Sequence, residues 1–168
     1  DVYYYDLALK VGIEKISAMA NKFGLGSRHE LALSSVNSGL TPTKDWKLRT
    51  RGEEWVIGDT VNASIGQGFV LASPLQLAVM TARLASGRAI APRLLKSVDG
   101  VEQAAIDAPV LNMNDNNLRK MQRAMYEVVN DRRGTAYRSR IIADDMRMAG
   151  KTGTSQVRNI TAAERARG

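Results

Sequence analysis

Glycine cuts this chain into short segments, and that limits its fold more than any other feature. A helical run from Val2 to about Lys10 meets Gly12. Ile13, Ile16, Ala20 and Phe23 resume helical spacing, which Gly24 and Gly26 stop. From Ser27 to Gly68 the chain is turn-rich, punctuated by Gly39, Pro42, Gly52, Gly58, Gly66 and Gly68. That stretch carries both tryptophans, Trp46 and Trp55, and so long a loop region is often functional or packed by its own side chains.

The clearest helix start is Ser73-Pro74-Leu75-Gln76. Ser73 is placed to accept from the Gln76 N–H, the Gln76 side chain to reach back, and Pro74 suits the first helical position. The helix runs from Leu75 to Ala85 and ends near Gly87. It is apolar almost all round apart from Arg83, which predicts a buried helix. Ala89 to Val98 reads as mostly extended with Pro92 inside it, and Asp99-Gly100 as a turn. Asn114 or Asp115 caps a second clear helix with a buried stripe of Leu118, Met121, Met125, Val128 and Val129. Arg119, Lys120 and Arg123 face water, and Gly134 ends the element. Met146 to Val157 reads as a strand, because Gly150 and Gly153 disfavour a helix. Tyr3, Tyr4 and Tyr5 read as packing residues, and the methionines as core filler.

Composition removes several kinds of chemistry. There is no cysteine, hence no disulfide or thiolate metal site in this sequence. His29 is the only histidine, which argues against a histidine-built zinc site or a Ser-His-Asp triad. Lys and Arg number 24 against 17 Asp and Glu, a formal net charge of +7. A basic nucleic-acid-binding module is therefore one reading, but the charges are dispersed and no aromatic platform for stacked bases stands out. The sequence opens at Asp1-Val2-Tyr3-Tyr4-Tyr5 without Met, which predicts a piece of a longer protein.

Gly150-Lys151-Thr152-Gly153-Thr154-Ser155 gathers one cation, hydroxyls and open backbone into six residues. That suits a carboxylate or a phosphate. A phosphate-binding P-loop needs another glycine five residues before Gly150, where this chain has Asp145, a carboxylate that would repel phosphates. Gly66-Gln67-Gly68 opens like a dinucleotide fingerprint, but Leu71 stands where the third glycine belongs. Acyl transfer on a strand is the other reading. Lysine helps move a nucleophile's proton, and Thr152 and Thr154 share a strand face that can hold a carboxylate. Gly153 lets an extended peptide lie close, and a backbone N–H beyond it can meet an oxyanion. Strand alternation puts Lys151 on the face opposite Thr152, so how both reach one pocket stays open.

The tetrapeptide has company. Thr41-Pro42-Thr43-Lys44-Asp45-Trp46, Gly58-Asp59-Thr60-Val61-Asn62, Ile65-Gly66-Gln67-Gly68, Ser73-Pro74-Leu75-Gln76-Leu77-Ala78, Gly134-Thr135-Ala136 and Lys151-Thr152-Gly153-Thr154 occur in that order. The set resembles the transpeptidase domain of class B penicillin-binding proteins, most like the cell-elongation type, over nearly the whole chain. The resemblance implies an α+β, penicillin-binding (serine β-lactamase-like) fold, of which this chain holds mostly the helical region plus one strand of the antiparallel sheet.

It also implies a serine acyltransferase that cross-links peptidoglycan stem peptides, is acylated by β-lactams and needs no metal or organic cofactor. By that resemblance Lys151 is catalytic and orients groups around the serine. Thr152 and Thr154 bind the terminal carboxylate of the peptide or β-lactam beside Gly153, and the Thr154 N–H completes the oxyanion hole. Asp1 matches the last residue of the family's Ser-x-Asn/Asp motif. No serine in this sequence has Lys three positions later, so the Ser-x-x-Lys nucleophile motif is absent from it. The implied partners are the rest of the same domain and a membrane glycan polymerase of the elongation machinery, with no nucleic acid, at the periplasmic face of the inner membrane.

Overall fold

A computed structural model describes residues 2–104, 106–143 and 145–155. The chain forms two compact units, Asp1–Asn114 and Asp115–Gly168. The first contains α1 (Val2–Val11), α2 (Ile13–Lys22), α3 (Lys44–Arg51), α4 (Ile57–Ser64), α5 (Pro74–Ser86) and the short strands β1 (Ser97–Val98) and β2 (Val101–Glu102). The second contains α6 (Asp115–Asn130) and a 3-10 turn, Tyr137–Ser139. Helices dominate, with one small antiparallel sheet.

Gly12 adopts φ 83°, which an L side chain rarely does, and so separates α1 from α2 as predicted. Helix α1 packs on α4 and α2, and Ala8, Ile13 and Ala63 from these three helices are buried. The tyrosines near the start pack less than expected: Tyr3 and Tyr4 are exposed and meet edge to face at 5.4 Å. An isolated α1 surface leaves them nothing else to cover among the described residues.

The stretch from Ser27 to Gly68 is more regular than its composition suggests, because several of its breakers are helix caps. Thr43 Oγ1 accepts from the Trp46 N–H at 3.1 Å and opens α3. Gly52, in the left-handed conformation, closes α3 by donating to Leu48 O at 3.0 Å. Asp59 accepts from the Val56 N–H at 3.0 Å and opens α4. The same carboxylate pairs at 2.8 Å with Lys47, a buried lysine that also donates to Glu54 O at 2.9 Å. Burial alone raises the Asp59 carboxyl, but the bonds from Lys47 and Val56 outweigh it and hold it below the usual range. The hydrogen bond to Asp59 holds Lys47 above its usual value despite burial.

Helix α5 starts and stops where the sequence indicates. Ser73 Oγ accepts from the Gln76 N–H at 3.3 Å, the Ser73 N–H donates to Gln76 Oε1 at 3.0 Å, and Gly87 closes the helix at φ 69°. It is not the buried helix predicted. Only Gln76 and Val79 are fully buried, and Leu77 is 47% exposed. An apolar surface is buried only where another element covers it, and among the described residues α5 is covered on one face.

That covered face is built around a polar group. Gln76 is 0% exposed, and both protons of its amide are used, on Ser27 O at 3.0 Å and Ser38 O at 2.7 Å. Leu40 and Leu71 exchange backbone bonds of 2.7 and 3.0 Å beside it. Arg83, the polar exception on α5, donates to Ile90 O at 3.0 Å and to Lys22 O at 2.9 Å. It thereby fastens α5 to the end of α2. Asp99 and Gly100 form the predicted turn, joining β1 to β2 with Val98 opposite Val101.

In the second unit, α6 shows Arg119, Lys120 and Arg123 to water as expected. Its inner row is Leu118, Gln122, Met125 and Val129, with Val129 fully buried and Val128 partly so. Met121 lies beside that row and is 52% exposed, contrary to the predicted stripe. Positions 118, 122, 125 and 129 follow one side of a 3.6-residue helix more closely than 121 does.

Candidate active site

The Lys151-Thr152-Gly153-Thr154 segment lies in the second unit and is anchored on α6. The Gly150 N–H donates to Met125 O at 3.0 Å. Asn130 Nδ2 donates to Met148 O at 2.9 Å and to Tyr126 O at 2.9 Å. Arg147 Nη1 donates to Tyr126 Oη at 2.9 Å. These bonds replace a strand ladder. Residues 147–155 form no strand, against the prediction for Met146 to Val157, of which 156 and 157 lie outside the described residues. A strand is defined by its neighbour, and none lies alongside among the described residues.

The turn after α6 approaches the same segment. Gly134 donates to Asp131 O at 2.8 Å, and the Ala136 N–H to Val128 O at 3.1 Å. A Cβ on Gly134 would collide with Val128 O and lie 2.6 Å from Glu127 O, so only glycine lets the backbone come this close to the helix end. Arg133 folds onto Asp131 and holds that carboxyl below its usual range, first by its side-chain hydrogen bond. Between these neighbours, Thr135 Oγ1 stands 3.1 Å from Thr152 Oγ1.

Strand alternation does not separate Lys151 from Thr152, because residues 147–155 form no strand, and the Lys151 side chain closes the gap. Its flexible stem turns back, so that Nζ donates to Thr152 O at 2.8 Å and to Thr152 Oγ1 at 3.3 Å. Cation and hydroxyl therefore share one place. Lys151 to Ser155 are all exposed, and among the described residues nothing lies within 4 Å of where a Gly153 Cβ would be. The strip offers an ammonium group, two threonine hydroxyls and clear backbone to whatever comes alongside.

The structure thus brings Lys151 and Thr152 together, leaves Gly153 and Thr154 open beside them, and adds Thr135, which the sequence offered only within Gly134-Thr135-Ala136 and not as a site residue. Gly134 ahead of it was the available signal. Asp1, the other predicted catalytic residue, lies outside the described residues. Among the described residues, no group of three or more His, Asp or Glu side chains is gathered to hold a metal ion, and no helix is long and apolar enough to cross a membrane.

The penicillin binding protein transpeptidase domain profile matches residues 1–165. This chain belongs to the penicillin-binding protein transpeptidase family. A relative within it is peptidoglycan D,D-transpeptidase MrdA of Acinetobacter baumannii, 37% identical over 98% of this chain and 25% of its own length. The chain therefore spans about a quarter of the curated relatives it matches. Among solved transpeptidases, penicillin-binding protein 2 of Pseudomonas aeruginosa, in complex with WCK 5153, is 38% identical with a TM-score of 0.73 over 81% of this chain and 30% of that one. Penicillin-binding protein 2 of Helicobacter pylori, solved in complex with MreC, is 32% identical with a TM-score of 0.74 over 86% of this chain and 26% of that one. These similarities establish the transpeptidase fold predicted from the ordered motifs.

Proposed function

We propose that this chain is a portion of a peptidoglycan D,D-transpeptidase and supplies one wall of its active site. The observation that carries the reading is the convergence of Lys151 Nζ on Thr152 Oγ1 beside the open backbone of Gly153. In the reaction, a serine outside this sequence attacks the carbonyl of a stem peptide or β-lactam and breaks its C–N bond to form an acyl-enzyme; the peptide's terminal residue leaves as the free amine, whereas the opened β-lactam's amine stays tethered. Lys151 supplies positive potential and orients groups around that serine. Thr152 and Thr154 hold the terminal carboxylate, and Gly153 leaves room for the peptide to lie along the strip. The Thr154 N–H faces the developing oxyanion. Asp1 closes the family's Ser-x-Asn/Asp motif. This chemistry calls for no cofactor.

The chain acts together with the rest of its domain, at the periplasmic face of the bacterial inner membrane, alongside the elongation machinery and its glycan polymerase. The Helicobacter pylori relative solved with MreC supports such an assembly. By itself the 168-residue chain is inactive. Intact-mass measurement after incubation with a labelled penicillin should show no adduct on this chain and a stoichiometric one on the whole protein. Labelling of the chain alone, competed by unlabelled drug, would place the nucleophile within it. An unlabelled whole protein would end the transpeptidase reading.

A further inference from the structure

We propose that Thr135 is a positioning residue that makes Thr152 a hydrogen-bond donor toward an incoming carboxylate. The inference rests on the reading of Lys151 to Thr154 as a carboxylate-binding strip.

A threonine hydroxyl has one proton and two lone pairs. Lysine only donates, so Lys151 Nζ, 3.3 Å from Thr152 Oγ1, takes up one lone pair. Thr135 Oγ1, at 3.1 Å, is the second partner. With Thr135 donating, both lone pairs of Thr152 are filled and its proton is left for the exposed side. With the direction reversed, the only proton of Thr152 is spent on Thr135, and nothing remains for a carboxylate, which only accepts. A binding role for Thr152 therefore fixes Thr135 as the donor.

The backbone holds both threonines to this arrangement. Ala136 is bonded to Val128 O at 3.1 Å and Tyr137 to Gly134 O at 3.1 Å, which sets the turn carrying Thr135. The bonds from Gly150 to Met125 O and from Asn130 to Met148 O set the segment carrying Thr152. Both anchors belong to the same half of α6, so the hydroxyl separation is built into the framework and does not depend on a ligand.

The test uses the whole protein that carries this chain, with Thr135→Val and Thr135→Ser. Acylation is measured with a penicillin and with the same penicillin esterified at its carboxylate. Thr135→Val should slow acylation by the free acid about tenfold. Thr135→Ser should stay within about twofold of wild type, and the ester should react equally with wild type and Thr135→Val. A loss of equal size on acid and ester, no loss on the acid, or a serine variant as slow as the valine one would overturn the proposal. Methyl NMR of Thr152 gives a readout that needs no ligand: one χ1 rotamer in wild type, averaged rotamers in Thr135→Val. Averaging already present in wild type would also overturn it. A wild-type protein that reacts with neither compound refutes the transpeptidase reading instead, with the NMR result standing apart.

Discussion

Gly39 and Gly153 show two ways in which one chain uses glycine. Beside Gly39 the polar groups are spent inwardly. Gln76 is fully buried with its amide committed to Ser27, Ser38 and Ser73. A Cβ on Gly39, which sits at φ 58°, would collide with Gln76 Oε1 and lie 2.5 Å from Leu71 O. Beside Gly153 the groups are exposed and, among the described residues, the space is empty. The first glycine is demanded by what is already packed against it. The second meets no such neighbour among the described residues, and its small size leaves room for something that approaches from outside. Buried framework and exposed strip are told apart here by where hydrogen-bonding capacity goes.

The contrast breaks most readily at the buried knot. Gln76→Leu should lower stability by about 3 kcal/mol, because Ser27 O, Ser38 O and the Ser73 N–H lose their partner. Gly39→Ala should cost about 2 kcal/mol through the clash and the left-handed backbone. Urea unfolding of the whole protein measures both, and a loss under about 0.5 kcal/mol in each would show that the knot is not structural.

A smaller effect comes from His29, also in the first unit. Its Nε2 is buried without a hydrogen-bond partner among the described residues. Burial, and then the charge of Arg83, lower its pKa from the ordinary 6.5, against an opposing bond to the Gly24 backbone. Below that ordinary value the unfolded chain binds more protons than the folded one, so stability falls as pH falls. It is retained in full above about 6.5 and lost as pH drops through the folded pKa. His29→Gln should flatten this part of the stability profile; an unchanged slope would assign it to other groups.

The sharpest test has the smallest effect on stability. Gly153→Ala should stay within about 0.5 kcal/mol of wild type, since its Cβ enters open space. Acylation of the whole protein by penicillin should nonetheless fall by about tenfold or more, through crowding of the ligand. Loss of stability with acylation unchanged would reverse the assignment of Gly153 from site to scaffold.

What could be read from the sequence was mostly local. The Ser73–Gln76 reciprocal cap, the Gly87 stop, the Gly12 break and the Asp99-Gly100 turn are each decided within a few residues. Helix α3 was hidden by the same logic, because Thr43 and Gly52 look like loop residues until they are seen as its caps, and α4 because Asp59 is the residue that opens it. The exposure of Leu77 and Tyr3 was not legible, since apolarity says what a side chain favours and not whether an element arrives to cover it.

The sequence alone determined the family, through short motifs in fixed order, and gathered one cation and two threonine hydroxyls into Lys151-Thr152-Gly153-Thr154. Only the tertiary structure decided that Gln76, while keeping its cap through Oε1, ties the loop at Ser27 and Ser38 through Nε2, and that Thr135 reaches Thr152 across 17 residues. Caps and turns are set by neighbours in the chain. Those two contacts depend on where distant backbone anchors bring the chain, which no local pattern encodes.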